Sequence, residues 1–209
     1  AIFSKTPFYA ESGGQVADIG IFKSTNLNGE ILNCKKVGDF HLHEVIISEG
    51  SLELNADVEL IIDAERREKI VSNHSATHLL HSALRKVLGE SVEQRGSLVN
   101  EEKLRFDFSH SNKVTDDQIM EIEDIVNLKI EEAIDTKTEV LPYEDALKTG
   151  ALAFFGDKYG EKVRVVYING DFSVEFCGGT HVKNTSEIGG FAVTNETSVS
   201  SGVRRIEAI

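Results

Sequence analysis

The rhythm of apolar and polar positions changes once along the chain. Up to residue 62, apolar residues come in short runs such as 30–37 and 58–62, broken by Gly13-Gly14, by residues 26–29 and by Gly50. Short runs punctuated by turn formers read as strands, and at this spacing they predict a small barrel or sandwich. No helical period is present there. At Asp63 the pattern turns helical. Asp63 suits an N-cap, and Ile70, Val71, Leu79, Leu80, Ala83, Leu84, Val87 and Leu88 recur at helix spacing as far as Gly89, a C-cap residue type. The pattern leaves open whether the helix runs through the segment NHSATH (from Asn73) or breaks there.

Beyond Gly89 the elements are mixed. Two strands are expected over 92–99 and 103–108, joined at Asn100, then a helix from the cap Thr115 to about Ile134. Its stripe is Ile119, Ile122, Ile125, Val126, the stem of Lys129 and Ile130. A strand over 138–141 and a short helix over 143–148, stopped by Gly150, come next. Residues 163–168 and 172–176 form a hairpin around Asn169-Gly170, and 191–193 with 203–206 close the sheet. Strands and helices do not alternate strictly, so the fold class expected is α+β. The chain divides into a glycine-rich β-barrel subdomain, 1–62, and an α/β two-layer subdomain with a mixed or antiparallel sheet, 63–209.

Composition narrows the function classes. The 209 residues suit one large domain or two small ones, and 40% apolar content is enough for a packed core. No apolar run approaches the ~20 residues that span a bilayer, and AIFSKTPFYA is not a signal peptide. The chain starts without Met and ends at Ile209 in an expected strand, which reads as a piece of a longer polypeptide. Two cysteines in dissimilar surroundings, Cys34 and Cys177, make no disulfide framework, so a cytoplasmic location is expected. Cys34 reads as a small core residue. The net charge of −13 argues against a nucleic-acid partner. The acids are crowded, however: residues 115–135 hold eight of them and one base, Lys129, on one solvated helix face. The bases come as pairs elsewhere: Arg66-Arg67, Arg85-Lys86 and Arg204-Arg205. Such pairs can hold phosphate locally, although scattered solvation is the better reading of any single pair.

Two short motifs carry chemistry. His74 and His78, four residues apart, share one helical face about a turn apart. Cys177-Gly178-Gly179-Thr180-His181 follows a strand, and its glycines permit a tight turn that brings a thiolate and an imidazole together. Two histidines from a helix with a cysteine and a histidine from a loop make a tetrahedral set of the N and S ligands that zinc takes. Either motif alone is weak. Ser75 stands where the metalloprotease motif needs glutamate, which argues against that class. A closed set of four ligands can also simply staple a fold. His81 is expected packed behind the ligands; His41 and His43 are read as surface residues, and His110 has no role.

Five ordered blocks then carry a resemblance over essentially the whole chain: TPFYAESGGQVADIG from Thr6, NHSATHLLHSALRKVLG from Asn73, QRGSLVNEEKLRFDFSH from Gln94, EFCGGTHV from Glu175 and GGFAVTNETSVSSGVRRIEAI from Gly189. They resemble the editing region of alanyl-tRNA synthetases. Related zinc motifs occur in free-standing alanyl editing proteins and, without the same metal chemistry, in the threonyl-tRNA synthetase editing domain. The resemblance implies hydrolysis of the ester in Ser-tRNA(Ala) and Gly-tRNA(Ala), with Ala-tRNA(Ala) spared. The need is physical, since one methylene or hydroxyl is worth only ~1–3 kcal/mol in a pocket. It also implies one zinc ion on His74, His78, Cys177 and His181. By the same match Gln94 lines the editing pocket, its amide suited to a serine hydroxyl or an ester carbonyl. Glu175 orients water or the amino group, Thr77 lies between the ligands, and Gly13, Gly14 and Gln15 form a glycine-rich element facing tRNA. Arg204 and Arg205 are candidates for tRNA phosphates, at most one of them in a given groove. The partners implied are mischarged tRNA(Ala) and the other domains of a parent synthetase, with no membrane. ATP belongs to the aminoacylation domain of that parent, which the sequence does not contain, so this piece is not expected to charge tRNA. Two alternatives stay open: a zinc-stapled tRNA-binding module without catalysis, and a free-standing trans-editing deacylase.

Overall fold

The computed structural model describes residues 1–153 and 160–209. Its N-terminal strands are β1 (Gly20–Ser24), β2 (Leu27–Val37), β3 (Phe40–Glu49) and β4 (Glu59–Ile62). They form an open antiparallel sheet in the order β3-β2-β1-β4 rather than the expected barrel. Closure fails for a simple reason. β4 is four residues long and runs straight into a helix, so the chain leaves before any strand can bridge the two edges. The segment before β1 covers the sheet instead. Phe8, Ala10 and Ala17 pack on Phe22, Leu27, Ile31 and Cys34, and the amide of Glu11 donates to the carbonyl of Cys34. Cys34 is a core residue, as its apolar run implies.

His43 departs from its surface assignment. It pairs with Cys34 across the sheet and points under the same cover, 1% exposed, with its Nε2 2.9 Å from Thr6 Oγ1 and its ring edge-on to Phe3 and Phe8. Burial pushes its pKa below the ordinary value of 6.5. The unfolded chain therefore binds the proton first as pH falls, and stability present above 6.5 is lost from there down through the folded pKa. Urea midpoints are expected to drop between pH 7 and pH 5, and to drop less in His43→Gln. An equal drop in both proteins would remove His43 from the acid response.

Asp63 caps α1 (Ala64–Leu88), its carboxylate accepting from the Arg66 amide, and Gly89 ends the helix at φ 107°. The helix passes unbroken through the NHSATH segment, which puts His74 and His78 on one rigid rod. β5 (Gln94–Val99) and β6 (Leu104–Ser109) pair with the last two strands, β10 (Val193–Ser200) and β11 (Val203–Ala208), in the order β10-β11-β6-β5. β7 (Lys137–Pro142), β8 (Lys162–Ile168) and β9 (Ser173–Phe176) form a separate sheet. The ladders are antiparallel, and parallel pairing is confined to isolated bridges such as Gln15–Val99. α2 (Asp116–Glu131) starts in a capping box at Thr115 and stops before the expected Ile134, where Ala133 adopts φ 52°. α3 is the short helix Tyr143–Leu147.

The largest core lies between α1, α2 and the inner faces of β5, β6, β8 and β11. Leu79, Leu80, Leu84, Phe106, Phe108, Ile122 and Ile206 are fully buried there. Each such side chain is worth roughly 1.5–3 kcal/mol of transfer. This packing fixes α1 along its middle, where residues 74–81 are all buried. No helix among the described residues is long and apolar enough to cross a membrane.

A candidate metal centre at the floor of a cleft

α1 brings one pair of ligands and the turn after β9 the other. The ligand atoms of His74, His78, Cys177 and His181 all lie within 4.8 Å of one another, a group that can hold one metal ion. Cys177 Sγ sits 3.4 Å from His74 Nε2 and 3.3 Å from His181 Nε2. Zinc–sulfur and zinc–nitrogen bonds of about 2.3 and 2.0 Å at a tetrahedral angle put N and S about 3.6 Å apart, so the cluster fits zinc with a shift of a few tenths of an ångström.

The far nitrogens of His74 and His181 sit on hydrogen-bond acceptors, and that of His78 faces a carboxylate as an ion pair without hydrogen-bond geometry. His74 Nδ1 is 2.7 Å from Gln15 Oε1, His181 Nδ1 is 3.2 Å from Ser75 Oγ, and His78 Nδ1 is 3.3 Å from Glu175 Oε2. Ser75 Oγ gives its proton to the Val71 carbonyl, so toward His181 it can only accept. Gln15 Oε1 likewise only accepts, and a carboxylate does the same. With Gln15 and Ser75 accepting from Nδ1, His74 and His181 can each turn an Nε2 lone pair toward a metal once the protons shared with Cys177 leave, the arrangement a metal-binding histidine needs. Sequence reasoning missed Ser75 and the true place of Gln15. Gln15 stands in the glycine-rich block assigned to tRNA, but its side chain is 0% exposed and its amide also binds the Thr180 amide and hydroxyl.

Charge in the cluster follows from the same contacts. Burial raises the Cys177 thiol, but the charges of His74 and His78 and hydrogen bonds from His181 and His74 hold its pKa well below the ordinary 9.0. Burial opposes a charge on His78, yet Glu175 and Cys177 outweigh it and push the pKa up to about 10. His181 falls to about 3, through burial and the charge of His74. Burial alone would raise Glu175, but His78 and His81 bring it below the usual carboxylate range. A metal entering the group therefore meets a ready thiolate and a neutral His181, and must displace the proton on His78.

The turn itself needs its glycines unequally. A Cβ on Gly179 would run into the ring of His74, whereas one on Gly178 would meet nothing within 4 Å. Arg164 on β8 fixes this turn by donating to the carbonyls of Cys177 and Gly179.

A cleft of about 550 Å³ opens over the cluster. His74, His78, Cys177, Thr77, Gln94, Glu175 and Gly13 line it. The side chain of Gln94 makes no hydrogen bond to a described residue, so its amide is unspent at the cleft wall. Glu175 is committed: His81 Nδ1 lies 3.1 Å away, Ser173 Oγ donates at 3.2 Å, and His78 Nδ1 faces the other oxygen at 3.3 Å as an ion pair. Thr77 gives its hydroxyl proton to the Asn73 carbonyl and keeps an acceptor face. Gly13 and Gly14 take φ of 60° and 89°, and a Cβ on Gly14 would strike the backbone of Ser97. Gly14 is thus a packing glycine, while Gly13 borders the cleft. His81 sits behind the ligands, against Phe106. Arg204 and Arg205 do not line the cleft. Each guanidinium is bidentate on a carboxylate, of Glu196 and Asp107 respectively.

Comparison with known proteins agrees with the motif blocks. Residues 163–207 match the family described as threonyl and alanyl tRNA synthetase second additional domain. Residues 1–66 match tRNA synthetases class II (A). Over 209 residues the chain is 53% identical to an alanine–tRNA ligase of Halalkalibacterium halodurans, covering 100% of this chain and 24% of the relative. It is 49% identical over 208 residues to one of Pseudomonas fluorescens, again covering 100% of this chain and 24% of the relative. One of Fusobacterium nucleatum is 51% identical over 207 residues, with 99% and 24% covered. The chain thus spans about a quarter of the length of the relatives it matches.

Proposed function

We propose that this segment is the hydrolytic editing module of an alanine–tRNA ligase, cleaving serine and glycine from mischarged tRNA(Ala) and sparing alanine. Its partners on this reading are tRNA(Ala) and the other domains of the ligase, and its two parts meet at Asp63. The observation that carries the reading is the His74–His78–Cys177–His181 cluster at the floor of an open cleft, beside polar side chains not consumed by the fold. When bound, zinc supplies a Lewis acid that polarises an oxygen or nitrogen of the aminoacyl group.

The chain's own residues do the rest. Gln15, Ser75 and Glu175 orient the ligands. Gln94 offers a donor and an acceptor within the cleft, and Thr77 offers an acceptor. A serine hydroxyl placed against them gains a hydrogen bond that an alanine methyl cannot make. Leaving those groups unmatched disfavours alanine more than size alone would. Glu175, bound to two histidines and a serine, positions rather than acts as a base.

Hydrolysis of Ser-tRNA(Ala) and Ala-tRNA(Ala), with and without a zinc chelator, tests this while circular dichroism follows the fold. Selective loss of the serine ester, stopped by chelation in a folded protein, is the expected result. Gln94→Ala is expected to lower the Ser-to-Ala rate ratio by about tenfold, one hydrogen bond's worth. A folded, zinc-loaded protein that hydrolyses neither ester would favour the zinc-stapled binding module, a reading supported by the closure of four protein ligands around one point.

A further inference from the structure

The cleft is electropositive on an acidic protein. Glu175 is the one carboxylate among its described lining residues, buried against two histidines, and the Cys177 thiolate lies among the imidazoles of the cluster. Three bases line the same cleft: Lys36, Lys162 and Arg164. Arg164 is spent on the carbonyls of the Cys177 turn. The two lysines are exposed, and neither forms an ion pair with any described residue. Each is anchored by regular backbone. Lys36 lies near the end of β2, opposite His41, where the Glu11–Lys35 bridge draws the strand against the glycine-rich loop. Lys162 opens β8 opposite Pro142, two residues from Arg164 and so on the same face. The net charge of −13 makes this location matter. Long-range attraction is unavailable, so a polyanion reaching the cleft must be held by cations at the cleft itself.

We propose that Lys36 and Lys162 form a phosphate rim, binding the phosphodiesters of the single-stranded 3′ end of an RNA whose terminal ribose enters the cleft. This rests on the editing reading for the identity of the RNA, and it replaces the Arg204-Arg205 pair, whose guanidinium groups are already paired with carboxylates. Ammonium groups on flexible stems suit the task, because they follow a mobile single strand as point charges without fixing its geometry.

The test is the salt dependence of binding to a 5′-labelled RNA strand ending in CCA, read by fluorescence anisotropy. Each phosphate neutralised on a single strand contributes about 0.7 to the slope of log K against log salt. The double variant Lys36→Gln, Lys162→Gln is expected to lower that slope by about 1.4, with circular dichroism unchanged. Lys148→Gln, a lysine outside the cleft, is expected to leave the slope as it is. An unchanged slope in the double variant, or no binding of the strand by the parent chain at low salt, overturns the rim. The editing reading fails separately: a parent chain that binds the strand through these lysines but hydrolyses no aminoacyl ester keeps the rim and loses the reaction.

Discussion

Gly179→Ala is expected to lower zinc affinity by at least ~100-fold, while Gly178→Ala keeps the ion. The two glycines are neighbours in one turn, and composition treats them alike. Geometry does not. A methyl on Gly179 would overlap Cε1 and Nδ1 of His74 and crowd Gln15 Oε1. That one atom would hit a ligand and the group that orients it. The turn has little room to retreat, because Arg164 grips the carbonyls on either side and Thr180 is tied to Gln15. His74 cannot retreat either, since α1 is packed on both sides of it. Overpacking of this kind costs about 1–3 kcal/mol in the fold. Outer groups that merely orient a ligand are worth 10–100-fold in metal affinity, so displacing the ligand itself should cost no less. Metal content after dialysis against a zinc buffer reads the difference directly. Equal zinc in the two variants would mean that the turn is looser than the contacts imply.

Much of this site could be read before the fold. The i, i+4 pair His74 and His78 needs only a helix, and the run of apolar positions on both sides of it supplies one. Cys177 and His181 needed only a turn that glycine permits. The ends of the helices came within a few residues, since Asp63, Gly89 and Thr115 act locally through caps, whereas the strand expected over 191–193 runs instead over Val193–Ser200. Three things were not legible, and each depends on contacts distant in sequence. Gln15 reaches His74 across 59 residues, so its chemistry read only as part of a glycine-rich turn. His43 alternates correctly for a strand, but which face is covered depends on the segment around Phe8. Barrel closure is a property of two edges meeting, and nothing within β4 announces that the chain turns into α1 first. The Arg204-Arg205 pair suggests phosphate on sequence alone, and the carboxylates of Glu196 and Asp107 beside it become visible only in the fold.

Cys177→Ala is expected to remove zinc and to slow serine-ester hydrolysis by at least ~100-fold without unfolding the protein. The fold should survive because the turn does not rely on the ion alone. Arg164 holds its carbonyls, Ser75 Oγ accepts from the Val182 amide, and Gln15 binds Thr180. α1 keeps its core of Leu79, Leu80 and Leu84 whatever happens at the cluster. The chemistry should not survive. Lewis-acid stabilisation is worth several kcal/mol, and each 1.36 kcal/mol is tenfold in rate. The substitution also removes the anionic partner of three imidazoles, which leaves His78 against Glu175 with its other side unmatched. Single-turnover hydrolysis, metal content and the urea midpoint, measured on one preparation, separate the possible roles of the ion. Activity lost with the midpoint nearly kept places the metal in the reaction. A collapsed midpoint, with full activity in whatever remains folded, would make the cluster a staple and return the hydrolytic work to Gln94 and Thr77.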